Sequence, residues 1–441
     1  MTTPPDATTA PDRSWPAPSP DHPLHAVVQV PGSKSESNRA LVLAALSQGP
    51  STIRGILHAR DTDLMIDALA ALGTVFDVAQ DGTVTVHPGP LHASDGAIDC
   101  GLAGTVMRFV PPVAALAPGR THFTGDERAS ERPLAPLLSG LRQLGATVNA
   151  DAVPFTLDAP ERLGGREVTI DSSASSQFVS GLLLAAPLFP RGIDLRHEGG
   201  TLPSAPHIAM TVAMLARHGV RLTADPQGAH WTVEPGPITA VDEHIAPDLT
   251  NAAAFLVAGL LTGGAVQISG WPRGTDQPGR LIGPVAALMG ATLTTTAQGF
   301  TASSEQLSGA VLDLHDASEL TPVAAALGVA ARGTTTITGV AHIRGHETDR
   351  ITAIATELSR IGVPVSERPD GLVIGGMAGR LDELHPSSGD GLFACYRDHR
   401  MAHLGALLGL LVPGLRLDDV GCTSKTMPDF AERWTAMTQG R

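Results

Sequence analysis

Residues 32–39, Gly-Ser-Lys-Ser-Glu-Ser-Asn-Arg, place two cations and three hydroxyls between a run of strand formers at 26–30 and an unbroken run of helix formers from Arg39 to Leu46. The octet therefore reads as a strand-to-helix turn. Pro31 and Gly32 end the strand, and Ser35 or Ser37 is expected to cap the helix. A helix N-terminus presents unpaired N–H groups and a partial positive charge. With Lys34 and Arg39 added, it suits a phosphate or a carboxylate. In isolation, a capped helix start with two solvated basic residues accounts for the octet equally well. It is not a Walker A loop, because no glycine precedes Gly32 at the spacing that motif requires.

The same combination recurs. Residues 101–108 form a glycine turn opening a second helix, with Gly104 and Arg108 inside it, and residues 125–133 hold Arg132 in a loop. Ser175, Ser176 and Gln177 follow a strand at 168–170 and could hold a polyhydroxylated ligand. Ser204 and His207 stand at another helix entry, and Glu319 heads an apolar run. His346, Glu347 and Arg350 precede an amphipathic helix, Asp398 to Arg400 precede an apolar one, and Lys425 lies in a polar turn. Acids are favoured at helix starts and cations oppose the dipole there. Lys34, Arg39, Arg108, Arg350 and Arg400 at such entries make sense if bound anions offset that cost.

The elements that must position these residues repeat. A helix ending in Leu, Met, His or Ile followed by glycine recurs at Gly73, Gly145, Gly219, Gly290 and Gly362, at intervals of 72, 74, 71 and 72 residues. A further helix at 430–437 falls where the next copy is due. Each glycine is expected to cap its helix in a left-handed conformation and turn the chain into a strand. About 72 residues is too long for a solenoid unit. It is long enough for a small sheet with helices on one face, giving an α/β or α+β fold.

Composition sets outer limits. The chain has 441 residues with 42% hydrophobic content but only 3% aromatic, so its core must be built from Ala, Val, Leu and Ile. A net charge of −14 argues against nucleic acid or an anionic membrane as partner. Any anion site is then a local basic concentration. Cys100, Cys395 and Cys422 form no Cys-x-x-Cys pair, so neither a zinc site nor a disulfide framework is indicated, and a reducing compartment fits. Residues 1–23 have a disordered composition without the apolar core of a signal peptide. The longest apolar run, 404–412, is too short to span a bilayer.

Taken together, Gly32-Ser33-Lys34-Ser35 with Asn38-Arg39, Ala103-Gly104-Thr105, Glu131-Arg132-Pro133, Ser175-Ser176-Gln177, Glu347-Thr348-Asp349-Arg350, Asp398-His399-Arg400-Met401 and Thr423-Ser424-Lys425-Thr426 resemble, in order, the motifs of the 3-phosphoshikimate 1-carboxyvinyltransferase (EPSP synthase) family. The resemblance covers roughly residues 24–436. It implies two similar domains of three βαβαββ units each, one from 24–32 plus 248–441 and the other from 33–247, after a disordered tail at 1–23. It implies transfer of the enolpyruvyl group of phosphoenolpyruvate to the 5-hydroxyl of shikimate 3-phosphate, by addition and elimination, in a cleft between domains that close on substrate. By the same resemblance Lys34, Ser35, Arg39, Ser175, Ser176, Gln177, Ser204, Glu319 and His346 hold shikimate 3-phosphate. Lys34, Gly104, Arg132, Arg350, Arg400 and Lys425 hold phosphoenolpyruvate. The catalytic set is Glu319, which accepts the hydroxyl proton, Glu347, which protonates the methylene carbon, Lys34 and His346. No metal or organic cofactor is implied, and a cytoplasmic monomer is expected.

Four positions depart from the family's commonest pattern. Leu102 stands for Asn, His207 for Tyr, Glu319 for Asp and His346 for Lys. The last exchange is expected to make one positive charge conditional on pH. Two other readings remain. One is the related enzyme that transfers enolpyruvyl to UDP-N-acetylglucosamine, which normally carries a reactive Cys in a loop; the loop at 129–133 has none. The other is an inactive anion-binding scaffold, against which both Glu319 and Glu347 argue.

Overall fold

A computed structural model describes residues 14–225, 229–387 and 389–440. The described residues form six sheets, five of four strands and one of three. Each four-stranded sheet has the same plan: a parallel pair, then two antiparallel neighbours. Ala97–Asp99 lies parallel to Gly119–Thr124, which is followed across the sheet by Phe155–Ala159 and Thr147–Val148. The sheets starting at Glu167–Ile170 and Val311–Asp313 repeat that order. In these three a helix bridges the parallel pair, giving a β-α-β-α-β-β connection.

Two units complete themselves by exchange. His25–Val28 pairs in parallel with Ala265–Ser269, and Glu243–His244 with Ser51–Arg54. The apolar residues divide the same way: one buried cluster draws on 17–30 and 252–437, the other on 40–245. The chain passes between clusters twice, and the two passages lie side by side. Ser33 N–H donates to the Ala246 carbonyl at 2.8 Å and Asp248 N–H to the Pro31 carbonyl at 2.8 Å. Gly32 sits at this double crossing, where a Cβ would come within 1.9 Å of the Gly55 carbonyl oxygen.

The helices behind the cleft are buried on every side, as their all-round apolar sequences require. Every residue of Gly104–Ala114 and of His399–Gly409 is buried, and so is nearly all of Leu249–Leu261. The five repeating glycines all have positive φ, from 75° at Gly219 to 112° at Gly73, as the expected left-handed turns require.

Two expectations are corrected. The first helix is Lys34–Ala45, capped by Ser33, whose hydroxyl accepts from the Glu36 N–H, and not by Ser35 or Ser37. The helix thus begins earlier and brings Lys34 into its first turn. The second concerns the tail. Residues 1–13 lie outside the described residues, but Trp15–Pro16 pairs antiparallel with Arg416–Leu417 as the third strand of the last sheet. Ala17 is buried in the 252–437 core, and its N–H donates to the Leu415 carbonyl at 2.9 Å. A chain starting at Pro23 should therefore melt below one starting at Ser14. Equal thermal midpoints for the two would contradict this.

Candidate active site

The two clusters face each other across a cleft lined by residues of both halves of the chain. Its lining includes the cations Lys34, Arg108, Arg132, Arg350, Arg400 and Lys425, against the carboxylates Asp248, Glu319 and Glu347. Six cations to three carboxylates make the cleft basic within a chain of net charge −14. Such a site suits polyanions.

Helix starts deliver several of the lining residues. Lys34, Gly104, Gln177, Arg350 and Arg400 all stand in the first turn of a helix. Lys34 Nζ lies 3.2 Å from Asp61 Oδ2, and its N–H donates to Asp248 Oδ2 at 3.2 Å. Burial pulls the Lys34 ammonium below the ordinary lysine range; Asp61 opposes that shift, while Lys425 and Arg400 reinforce it. A Cβ on Gly104 would meet Arg108 Nη1 at 2.7 Å and Arg132 Nη2 at 3.0 Å, so glycine lets two guanidiniums converge on the helix end. Arg108 is fixed by the Gln177 amide oxygen at 3.1 Å and the Pro133 carbonyl at 2.9 Å.

On the opposite wall Arg350 is locked. It donates to Asp398 at 2.7 and 3.2 Å, to Glu347 Oε2 at 2.8 Å and to His346 Nδ1 at 2.9 Å. Burial lowers the Arg350 pKa, but Asp398 and Glu347 outweigh it and the net shift is upward. Glu347 also accepts from Lys425 Nζ at 2.5 Å. Burial pushes Glu347 up, yet Lys425, Arg350 and Arg132 together hold it well below the carboxylate range. Lys425 reaches across to the Leu102 carbonyl at 3.3 Å, where Arg132 also donates at 2.8 Å. The walls meet again where His315 Nε2 lies 2.8 Å from the Leu202 carbonyl.

Glu319 differs from Glu347. Its nearest basic neighbour is His207 Nε2, 4.0 Å from Oε1, and its Oε2 has no partner. Burial raises its pKa, but the surrounding positive charge brings it to about 2. Burial also drives His207 toward the neutral form, so Arg400 and Arg350 are the cations that keep Glu319 ionised at neutral pH. An ionised carboxylate with one free oxygen in an anion cleft is placed to accept a proton.

The sequence-derived residues Lys34, Ser35, Gly104, Arg132, Ser175, Gln177, Glu319, His346, Glu347, Arg350, Arg400 and Lys425 all line this one cleft. Arg39, Ser176 and Ser204 do not. Arg39 is 1% exposed and donates to Thr211 Oγ1, the Ser35 carbonyl, Ser180 Oγ and the His207 carbonyl at 2.7–3.3 Å. It fastens three helices beneath the floor.

The expected pH-dependent charge on His346 is also corrected. Arg350 donates to Nδ1, and burial, followed by the Arg350 charge, holds the imidazole well below its ordinary range, so it stays neutral. Asp248, Gln277 and His399 also line the cleft but were not singled out from sequence as site residues. Asp248 had a readable signal, an acid directly before an apolar helix, and its Oδ1 caps that helix through the Thr250 and Asn251 N–H groups at 3.0 Å. Gln277, in a Pro/Gly loop, orients the crossover through Leu249 N–H and the Pro247 carbonyl, each at 3.0 Å, and carries no local signal.

His207, His346, His399 and His403 are held below the ordinary range chiefly by burial, and His342 is brought to about 4 by the same cause. The unfolded chain then binds more protons than the folded one just below the ordinary histidine pKa. Stability fully present above that value is lost as pH falls. The melting temperature should drop between about pH 7.5 and about pH 5.5, which brackets an unperturbed histidine. A flat profile would mean these imidazoles charge freely in place.

A sequence model described as EPSP synthase (3-phosphoshikimate 1-carboxyvinyltransferase) matches residues 18–434. Among solved structures, an EPSP synthase from Acinetobacter baumannii is 23% identical, with a TM-score of 0.79 over 96% of this chain and 97% of that one. The enolpyruvyl transferase NikO from Streptomyces tendae is 20% identical, with a TM-score of 0.73 over 95% and 96%. These likenesses extend over nearly the whole of each chain and establish a shared fold.

Proposed function

The chain belongs to the EPSP synthase family, and on that premise we propose that its cleft transfers the enolpyruvyl group of phosphoenolpyruvate to the 5-hydroxyl of shikimate 3-phosphate, releasing phosphate. The observation that carries this reading is the convergence of six cations around Glu319, whose carboxylate keeps an unpartnered oxygen. Two polyanions brought together need such a ring to offset their mutual repulsion. Shikimate 3-phosphate lies against Lys34, Ser35, Ser175, Gln177 and Glu319, with Arg39 fastening the helices beneath them. Phosphoenolpyruvate lies among Lys34, Gly104, Arg132, Arg350, Arg400 and Lys425.

Glu319 takes the proton of the attacking hydroxyl as its oxygen bonds to the central carbon of phosphoenolpyruvate. Glu347 delivers a proton to the methylene carbon, giving a tetrahedral adduct. Loss of phosphate and of one methyl proton then restores the double bond. While the cleft cations surround them, Glu347, paired with Lys425 and Arg350, and Glu319, with a pKa of about 2, are both too weakly basic to carry a proton. An arriving substrate phosphate or carboxylate competes for those cations and raises both carboxyl groups toward a useful range. His346, neutral and accepting from Arg350, orients that guanidinium and is not a charged acid.

The division into 24–32 plus 248–441 and 33–247, with closure around substrate, belongs to this proposal. The two apolar clusters and the paired crossings at Gly32 and Pro247 support it. We also keep a cytoplasmic monomer; among the described residues no helix is long and apolar enough to cross a membrane. Phosphate release from phosphoenolpyruvate should require shikimate 3-phosphate. Release with UDP-N-acetylglucosamine instead would favour the related enzyme, and release with neither would leave an inactive scaffold.

A further inference from the structure

Cys395 and Cys422 have no part in the proposed reaction, yet the fold brings them together beside it. Leu392–Phe393 and Arg416–Leu417 run parallel, with Phe393 opposite Leu417. Just beyond that pair, Cys395 N–H donates to Asp418 Oδ1 at 2.8 Å. Cys422 N–H donates to Asp419 Oδ1 at 3.2 Å and its thiol to the Asp419 carbonyl at 3.0 Å. Cys422, half-buried, packs against the core that holds the buried Cys395, and both thiols are unoxidised.

Each cysteine is joined to a cation of the cleft. After Cys395 the chain reverses through Tyr396 and Arg397, at φ of 54° and 56°, and enters the helix that carries Arg400. Two consecutive non-glycine residues in the left-handed region mark a turn held by its surroundings. Cys422 lies in the short helix Val420–Lys425, one turn before Lys425.

We propose that Cys395 and Cys422 are a reversible oxidation site whose disulfide withdraws Lys425 from the cleft. The oxidant is a hydroperoxide. Cys422, the more accessible sulfur, attacks it as thiolate; the O–O bond breaks, leaving a sulfenic acid and releasing water or an alcohol. Cys395 sulfur then attacks Cys422 sulfur, the S–O bond breaks, and a second water leaves with the thiol proton. Two thiols lose two electrons and the hydroperoxide gains them. A small dithiol reverses the change by exchange. Cys395 is buried and Cys422 only half-buried, which leaves Cys422 to react first.

A disulfide of about 2.0 Å is far shorter than a thiol–thiol contact. Cys422 must leave the Asp419 carbonyl and carry the short helix with it. Lys425 then loses Glu347 and the Leu102 carbonyl. The consequence for catalysis rests on the reaction proposed above; formation of the bond does not.

The test treats the full-length chain with limiting hydrogen peroxide. The intact mass should fall by about 2 Da, and unfolded protein should show one reactive thiol, Cys100, in place of three. Peptide mapping should join Cys395 to Cys422. The KM for phosphoenolpyruvate should rise roughly 10-fold, the weight of one charge-assisted hydrogen bond. Dithiothreitol should restore mass and KM, and Cys395→Ser should retain reduced-state activity while losing both responses. No cross-link, or one through Cys100, would overturn the site. A cross-linked chain with unchanged phosphoenolpyruvate affinity, by KM or by direct titration, would overturn its coupling to Lys425.

Discussion

Replacing Glu319 by glutamine should lower turnover by roughly 10²–10⁴, the usual weight of a general base, while leaving shikimate 3-phosphate affinity little changed. The amide keeps the size of the carboxylate and can still hydrogen-bond a hydroxyl, but it cannot take its proton. Glu319 has a free Oε2 and a pKa of about 2, so the wild-type base is ionised throughout neutral pH. Neither gain nor loss of its charge should shape the pH profile there. Glu319→Asp, one methylene shorter, should recover much of the lost rate, which distinguishes loss of a base from loss of packing. Near-normal turnover in the glutamine variant would assign the proton to another group. His346 is poorly suited, because its Nδ1 already accepts from Arg350.

Replacing Arg350 by alanine should produce the largest loss of stability, about 3–5 kcal/mol. Arg350 is 2% exposed and Asp398 is fully buried, so removing the guanidinium strands a carboxylate away from water. Glu347 would retain Lys425, whereas Asp398 would lose its only cation pair and keep the Arg400 N–H at 2.8 Å, with the His399 imidazole 3.7 Å away. Adding Asp398→Asn in the same chain removes the stranded charge, preserves an acceptor for that N–H, and should restore part of the loss. Denaturant titration measures both. A loss below about 1 kcal/mol, the range of exposed ion pairs, would show that water reaches this pair.

The sequence located the cleft because its chemistry sits at helix starts, and helix starts are written locally. Lys34, Gly104, Arg350 and Arg400 were each legible as glycine or cation where dipole and capping rules make them informative. What a side chain meets across the helix axis was not. Arg39 lies five residues after Lys34, about 140° around the helix, and so turns from the cleft toward Thr211 and Ser180. The neutral state of His346 depends on a guanidinium one turn ahead and on burial that spacing does not reveal.

The repeating glycines foretold regular turns, but not the exchanged strands. His25–Val28 and Glu243–His244 find partners more than one unit away in the chain. Trp15–Pro16 offers only two residues of strand within a proline-rich stretch. A pairing that short leaves no period to detect.

The most direct measurement is analysis of the products formed from shikimate 3-phosphate and phosphoenolpyruvate in deuterium oxide. One inorganic phosphate should appear for each shikimate 3-phosphate that gains an enolpyruvyl ether at its 5-hydroxyl. Deuterium should enter the methylene group, because addition makes it a methyl and elimination returns it. Phosphate formed without the ether, or consumption of phosphoenolpyruvate that does not depend on shikimate 3-phosphate, would contradict the account.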